Sequence, residues 1–462
     1  MNLSRVFSFL LLLSAFAFAE HFAVNFGGRI RPLFSLENFL AYDFCGKSSC
    51  GGVAADSLLI AVRSGVADSS EIFRVDRSDA VDILHLEKGK RFFSYEEFKA
   101  SRGLLAQYAE RSDPHPLTRE FVRLNSALDL YDSLKSPAFW SRISIPYSLL
   151  SPKTLFRVQA EDWYLTLNLP FAIWLLACAT FVCALLSFAF RRKFLYALAT
   201  WGALIVAVFS LLLLVWRGFV ESQIPLVSLY ELLFVLVLGL SIAAFVFGKK
   251  KFSRGLFTAI AGGVLAILLF VRASLSSGDT FSPVSILLDS PFWLSLHVFS
   301  IAAGFCVLLL SSVLAHVLLV MRARGRILLE SSRHLLYICL RLGLLLSCLG
   351  VLLGGFWANV AWGRFWGFDP KENGALMVIL WVVLVLHLKA GNLVSEKSLE
   401  ILSALLSVVI AFCLLGVNLL GVGLHSYGFS AGLFSGFAAF VLLDLTLVAV
   451  LHFLIFRRAK DF

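Results

Sequence analysis

The sequence predicts an all-α polytopic membrane protein, with about nine transmembrane helices and a small, mostly helical N-terminal extracytoplasmic domain. Of its 462 residues, 59% are hydrophobic and 15% are charged, whereas a soluble domain is about 45–50% apolar and about 25% charged. The apolar residues form long uninterrupted runs, each near the roughly 20 residues that a helix needs to cross a bilayer. A water-soluble globule, a coiled coil and a small disulfide scaffold are therefore excluded.

The net charge of +10 reports membrane topology. The basic excess lies in short clusters between apolar runs, which begin at Arg191, Lys249, Arg322 and Arg457. Cationic loops remain on the cytoplasmic side of a membrane, so these clusters predict the cytoplasmic face. They form no continuous basic surface that could read a nucleic acid, and this class of function is excluded.

Residues 1–19 predict a secretory signal peptide, with an uncleaved anchor as the alternative. Arg5 precedes an apolar stretch, and the tripeptide that ends at Ala19 has the small-residue form of a cleavage site. Either reading delivers the next segment to the outside of the cytoplasm.

Residues 20–165 predict one small exported domain. Ser94 and Glu97 have the spacing of a capping box. Hydrophobic residues from Phe121 to Leu134 repeat at helical spacing, and Pro137 limits the helix. Cys45 and Cys50 lie close together in this exported segment and predict a structural disulfide, with a thiol relay as the alternative.

Residues 166–462 form the predicted transmembrane domain. When the chain enters this domain from outside, alternation of the spans places every basic cluster on the cytoplasmic side. The expected spans are roughly 168–190, 194–216, 228–248, 255–272, 292–320, 334–356, 375–390, 400–422 and 432–456.

Two histidines and a tryptophan-rich loop are predicted to share the outer side of this domain. His297 begins the fifth span, His425 follows the eighth, and the loop at 356–376 joins the sixth to the seventh. Tryptophans alone are typical of an interfacial belt, but such a belt does not require two histidines.

A haem-binding site would account for both the two histidines and the tryptophan-rich loop. Aromatic faces stack on a porphyrin, imidazoles ligate its iron, and cations bind its propionates. Arg364 and Lys371 are the cations of the loop, although Lys371 could instead form an ion pair with Asp369 and Glu372. His387 is predicted near the bilayer midplane, where an ionisable group is costly and usually functional.

The segment WGRFWGFDPKENGAL resembles the WWD signature of haem-handling proteins of cytochrome c maturation. The order His297, WWD loop, His387 and His425 is similar to that of the CcsA (ResC) family, the membrane component of the System II cytochrome c synthase. Arg217, followed by Pro225, Tyr230 and Glu231, resembles another segment of that family. The resemblance covers roughly residues 200–456, and Phe368 stands where many members have tryptophan.

The resemblance implies a set of site residues. His297 and His425 would be the outer axial ligands of haem b, and His387 one of a pair of membrane-embedded ligands on the route from the cytoplasm. Asp369 joins the two outer histidines as a catalytic residue. The implied haem-binding residues of the WWD loop are Trp357, Trp362, Trp366, Phe368, Arg364 and Lys371.

The resemblance also implies a reaction, partners and a location. Haem would be delivered across the membrane and attached through thioether bonds to the CxxCH motif of apocytochrome c, by a haem lyase active together with a CcsB/ResB-like membrane protein. A thioredoxin-like thiol reductant is a further expected partner. The expected location is the bacterial cytoplasmic membrane, with the WWD loop and the N-terminal domain on the outer side. The alternative is a CcmC-like carrier that hands haem to a chaperone without catalysis.

Overall fold

The structure is a computed structural model that divides after Leu167 into two compact units. It describes residues 22–46, 49–50, 53–111, 115–222, 224–226, 228–250, 253–274, 281, 291–326, 330–417 and 431–460. The predicted signal peptide and His425 lie outside these residues.

The N-terminal unit combines helices with short antiparallel strands. Its elements are β1 Phe22–Phe26, β2 Arg29–Pro32, α1 Leu33–Cys45, β3 Ser49–Cys50, β4 Val53–Ala54, α2 Ala55–Arg63, β5 Phe73–Arg74, α3 Ser78–Ile83, β6 Phe92–Phe93, α4 Tyr95–Phe98, α5 Arg102–Ala109, α6 Pro116–Lys135, α7 Pro137–Ile143, β7 Ser144–Pro146 and α8 Pro152–Leu167. The strands form a three-stranded sheet in the order β2-β1-β7 and two two-stranded sheets, β3-β4 and β5-β6.

The long helix α6 supplies one wall of this unit's core. Its residues Phe121, Leu124, Leu128, Tyr131 and Leu134 are buried, as their helical spacing predicts. The capping box of Ser94 and Glu97 is also present, at the start of α4. Cys45 is disulfide-bonded, whereas the side chain of Cys50 lies outside those that the structure describes.

A charged cluster ties α6 to the rest of the unit. Asp68 accepts hydrogen bonds from the Tyr131 hydroxyl at 2.6 Å and from the Lys135 ammonium at 2.5 Å. Burial opposes ionisation of Asp68, but these two hydrogen bonds outweigh it and hold the pKa of the carboxyl below its usual range. Burial, followed by the neighbouring Asp68, raises the pKa of Tyr131 well above its usual range.

In the second unit, Asn168–Phe462, the regular elements of the described part are helices. Nine helical segments in the described chain are long and apolar enough to cross a membrane, as predicted. The helices of this unit are α9 Leu169–Phe190, α10 Lys193–Glu221, α11 Leu229–Lys249, α12 Arg254–Ser274, α13 Pro291–Ala323, α14 Glu330–Trp362, α15 Pro370–Ala390, α16 Glu396–Ala404, α17 Leu406–Leu414 and α18 Ala431–Lys460. The expected eighth span is thus two consecutive helices, interrupted at Leu405.

The helix α15 begins earlier than its apolar run suggests. Asp369 caps its N-terminus together with Glu372, so the helix starts at Pro370. His387 lies in the last turn of the helix, three residues before Ala390. The depth expected for His387 in the bilayer stays a prediction.

The helices α13 and α14 approach each other through small residues. A Cβ atom on Gly350 would lie 2.8 Å from the Ile301 amide nitrogen, and one on Gly304 would lie 2.8 Å from the Ser347 amide nitrogen. Such spacing of small residues lets two helix backbones pack closely where lipid supplies no hydrophobic driving force between them. This contact fixes the register of the two helices that carry the candidate site.

We expect Asp68→Asn to weaken the attachment of α6. Because its pKa is lowered on folding, the carboxylate stabilises the unit above its unfolded pKa near about 3.9, and this contribution is lost as the pH falls through the folded value. Hydrogen exchange of the full chain should therefore show α6 about 1 kcal/mol less protected in the variant at neutral pH. The difference should vanish in acid.

The matched control is Asp82→Asn, since Asp82 forms an exposed ion pair with Lys88. It should change protection by less than about 0.5 kcal/mol. Equal protection of α6 in Asp68→Asn and the wild type at neutral pH would contradict the stabilising role of Asp68.

Candidate functional site

The site begins at His297, near the start of α13. Its Nδ1 lies 2.8 Å from the carbonyl oxygen of Gly350 on α14. A carbonyl only accepts hydrogen bonds, so Nδ1 must carry the proton of this bond. In the neutral imidazole the lone pair is then on Nε2, which is the protonation state that a metal ligand requires.

The neighbouring turn of α14 holds the His297 ring in place. A Cβ atom on Gly354 would lie 2.6 Å from Nδ1 of His297, so only glycine leaves room for the ring. The Trp357 ring lies nearly parallel to the imidazole, with a centroid separation of 6.2 Å and an interplanar angle of 3°. Trp357 is only 1% exposed and packs at 4.6 Å against the Trp362 ring.

A second row of aromatic rings lies beside this pair. Phe356 contacts Trp293 at 5.9 Å and Phe365 edge-on at 5.6 Å between ring centroids. A Cβ atom on Gly355 would lie 2.4 Å from the Phe365 ring, so this glycine lets the loop fold back against α14. Trp366 and Phe368 form another edge-on pair at 6.5 Å.

The charged residues of the loop stabilise the start of α15. The Asp369 carboxylate accepts from the Lys371 amide at 2.9 Å, as an N-cap residue does. Glu372 accepts from the Gly367 and Asp369 amides at 2.8 and 3.1 Å. Arg364 donates to Glu372 at 3.2 Å. These side chains therefore stabilise the connection between α14 and α15, residues 363–369, which we call the polar hairpin.

A cavity of about 880 Å³, including its open mouth, lies beside His297. The surface is mainly apolar, with polar groups at Ser228, His297, Lys371 and Glu372. Its other lining residues include Leu226, Leu229, Leu232, Val298, Ile301, Phe305, Val351, Gly354, Gly355, Trp357, Ala358, Phe365, Trp366, Ala375, Cys413 and Leu414.

A buried ion cluster supports the side of the cavity formed by Leu226, Ser228, Leu229 and Leu232. Arg217, near the end of α10, donates to Glu231 at 3.0 Å and to Glu221 at 3.1 Å. Its guanidinium also lies 5.0 Å from the centre of the Tyr230 ring. Arg217 and Glu231 are 2% and 1% exposed. Because Glu231 also caps α11, the cluster fixes where the lining residues at the start of that helix lie.

The structure brings part of the predicted site together. His297, Trp357, Trp366 and Lys371 all line the cavity. Trp362 packs behind Trp357 rather than on the cavity surface described here.

The remaining predicted residues have other positions. Arg364 and Asp369 belong to the polar hairpin, and Phe368 is 76% exposed. His387 lies at the opposite end of α15 from the WWD loop. The position of His425 lies outside the described residues.

Two parts of the cavity lining were missed by sequence reasoning. The first comprises Leu226, Ser228, Leu229 and Leu232, and the second comprises Cys413 and Leu414 at the end of α17. These residues are apolar or small and carry no chemical signal of their own. The resemblance to the family at Arg217 and Glu231 was the sequence signal for the lining at the start of α11, since this ion pair holds that lining in place.

Comparison with known proteins then gives the family. The profile of the family described as "Cytochrome C assembly protein" matches residues 226–425. The "Cytochrome c biogenesis protein CcsA" of Guillardia theta is 29% identical over 303 residues, which cover 59% of this chain and 99% of that protein. The CcsA proteins of Pyropia yezoensis and Porphyra purpurea are each 30% identical, over 51% and 53% of this chain and 88% and 92% of theirs.

The chain belongs to the CcsA family. It is thus a multi-pass membrane protein of cytochrome c biogenesis, with a role in cytochrome c maturation. The family match lies wholly within the membrane unit and begins at Leu226, the first residue of the cavity lining. It ends at His425.

We expect Gly354→Ala to destabilise this CcsA-family protein, although alanine normally favours a helix by about 1 kcal/mol. The new Cβ would displace His297 or separate α13 from α14, at a cost of about 1–3 kcal/mol. Thermal unfolding of the purified protein in detergent should show a lower midpoint.

The control is Gly263→Ala on α12, where a Cβ would meet its nearest atom, on Val313, at 3.9 Å. This variant should unfold at the wild-type temperature or above it. A Gly354→Ala midpoint equal to that of the control would show that the His297 ring is not confined as described.

Proposed function

We propose that this protein binds haem as its substrate in the cavity beside His297 and presents it for covalent attachment to apocytochrome c. The single observation that carries the proposal is the His297–Gly350 hydrogen bond, which leaves Nε2 as the ligating nitrogen of a histidine that lines the cavity. The resemblance to the CcsA family supplies His425 as the second axial ligand.

The chemistry of the cavity fits a porphyrin. Rings at Trp357, Phe365 and Trp366 offer aromatic faces for a flat apolar macrocycle. The remaining lining is mostly aliphatic, which suits the apolar body of a porphyrin. Haem b supplies the iron and the two vinyl groups, while the protein supplies orientation.

The attachment itself needs no oxidant or reductant beyond reduced cysteines. Each thiol of the CxxCH motif adds across one vinyl group, so that a C–S bond and a C–H bond form while an S–H bond and a C=C π bond break. The contribution of the protein is to hold haem in a fixed orientation while the peptide approaches, which makes the addition effectively unimolecular. His297 stays in place because α14 holds its ring.

His387 supports a second haem position, on the route from the cytoplasm. Its side chain is exposed, and its Nδ1 donates to the Val383 carbonyl one turn earlier at 2.9 Å, which leaves Nε2 available. An exposed imidazole in a transmembrane helix suits a ligand shared with another membrane protein. We propose that a CcsB/ResB-like subunit supplies the opposite ligand.

The proposed location is the bacterial cytoplasmic membrane, with the WWD loop and the N-terminal unit outside. The basic clusters support this orientation, because they fall at the ends of the spans opposite the WWD loop. Apocytochrome c and a thioredoxin-like reductant of its cysteines would then meet the protein on the outer side.

The deciding experiment is covalent haem attachment to a reporter apocytochrome c, in cells that express this protein with a CcsB/ResB-like partner. We expect His297→Ala to lower attachment by more than about tenfold, since it removes an iron ligand. The control, His334→Ala, changes an exposed histidine at the other end of α14 and should be silent.

Two outcomes would contradict the proposal. Unchanged attachment in His297→Ala would remove the ligand assignment. Haem that is retained by the wild type but reaches only a chaperone, without thioether bonds, would instead support the carrier alternative.

The proposed route through His387 has its own test. We expect His387→Ala to be purified with little haem but to regain the haem spectrum of the wild type when haem is added to the detergent-solubilised protein. His297→Ala should not regain it, because its defect is at the destination. Recovery of both variants, or of neither, would contradict a route on which His387 precedes His297.

A further inference from the structure

Lys371 is directed at the end of a neighbouring helix. Its ammonium nitrogen lies 2.7 Å from the Leu414 carbonyl oxygen and 3.3 Å from that of Cys413. Both carbonyls belong to the last turn of α17, which ends at Leu414. The last four carbonyls of a helix have no partner within the helix, and a cation there also offsets the negative end of the helix dipole.

A second contact joins the same two helix ends. A Cβ atom on Gly374 would lie 3.1 Å from the Cys413 sulfur and 3.2 Å from its Cα. Gly374 follows Lys371 by three residues, so both lie on the same face of α15. The first turn of α15 is therefore packed closely against the last turn of α17.

This junction forms part of the cavity wall. Lys371, Cys413 and Leu414 all line the cavity, as does Ala375 in the following turn of α15. Moving the end of α17 away from α15 would therefore change the shape of the space beside His297.

From this geometry we infer that Lys371 is a positioning residue, which fastens α17 to α15 and thereby shapes the haem cavity, and that it is not a ligand of the haem propionates. The inference rests on the proposed function, because it concerns the same site. It revises the sequence-based expectation that Lys371 and Arg364 both bind propionates. Arg364 is already paired with Glu372.

The test compares haem with its dimethyl ester, in which both propionates are neutral. Purified wild type and Lys371→Met are loaded with each compound, and the amount retained is measured from the absorption spectrum. We expect Lys371→Met to retain at least about tenfold less of each compound than the wild type does. The reduction should be the same for haem and for its dimethyl ester. Lys371→Arg, which keeps a cationic N–H donor, should restore retention of both.

A propionate ligand would give a different pattern. Lys371→Met would then lose haem but retain the dimethyl ester as well as the wild type does, and this result would overturn the inference. Wild-type retention of both compounds by Lys371→Met would overturn it as well.

The position of α17 is followed separately through Cys413, which is buried. In a protein whose other free cysteines are replaced by serine or alanine, a membrane-permeant maleimide should alkylate Cys413 at least about tenfold faster in Lys371→Met than with Lys371 intact. Equal rates would show that Lys371 does not fasten α17. If Lys371→Met fails to fold, the alkylation rate and haem retention of Lys371→Gln, which keeps a shorter donor, decide by the same criteria.

Failure of this inference is distinguishable from failure of the proposed function. Haem binding in the cavity is tested by His297→Ala, independently of the result at Lys371. If His297→Ala loses haem, and Lys371→Met loses haem and its dimethyl ester equally, both the proposed function and the role of Lys371 are supported.

Discussion

The close contact between α13 and α14 is the constraint on which the site depends. Lipid is as apolar as the helices, so their association rests on tight packing and interhelical hydrogen bonds. Glycines at 350 and 354 bring the two backbones near enough for the His297 imidazole to reach a main-chain carbonyl. The same approach sets the ring parallel to Trp357. The contact between α13 and α14 thus determines the position, the tautomer and the aromatic neighbour of the proposed ligand, His297.

The polar hairpin after α14 keeps charged side chains paired next to the cavity. Its charged side chains lie beside an apolar cavity, where unpaired charges are costly. Asp369 and Glu372 are bound to amides at the start of α15, and Arg364 is bound to Glu372. Lys371 reaches the end of α17. The motif that marks the family is therefore, in large part, the motif that folds the wall of the cavity.

The sequence predicts the membrane helices well because the bilayer fixes their length and apolar character. It misses strands of two residues such as β3 and β5, which exist only through pairing with distant segments. It places the start of α15 too late, although the capping pair of Asp369 and Glu372 is visible in the sequence, because an apolar run is a poor guide to a helix that begins with a polar turn. The junction of α15 with α17 could not be predicted, since its acceptors are main-chain carbonyls.

The two described histidines of the proposed route differ in what holds them. His297 donates to a carbonyl of another helix, so its orientation depends on helix packing. His387 donates to its own helix and remains exposed, and its ring forms no hydrogen bond to another helix among the residues that the structure describes. A ligand at a transfer point must release haem, whereas one at the attachment site must hold it in a single orientation. The firmly held His297 suits the attachment site, and the exposed His387 suits a transfer point. This contrast favours haem movement from His387 towards His297.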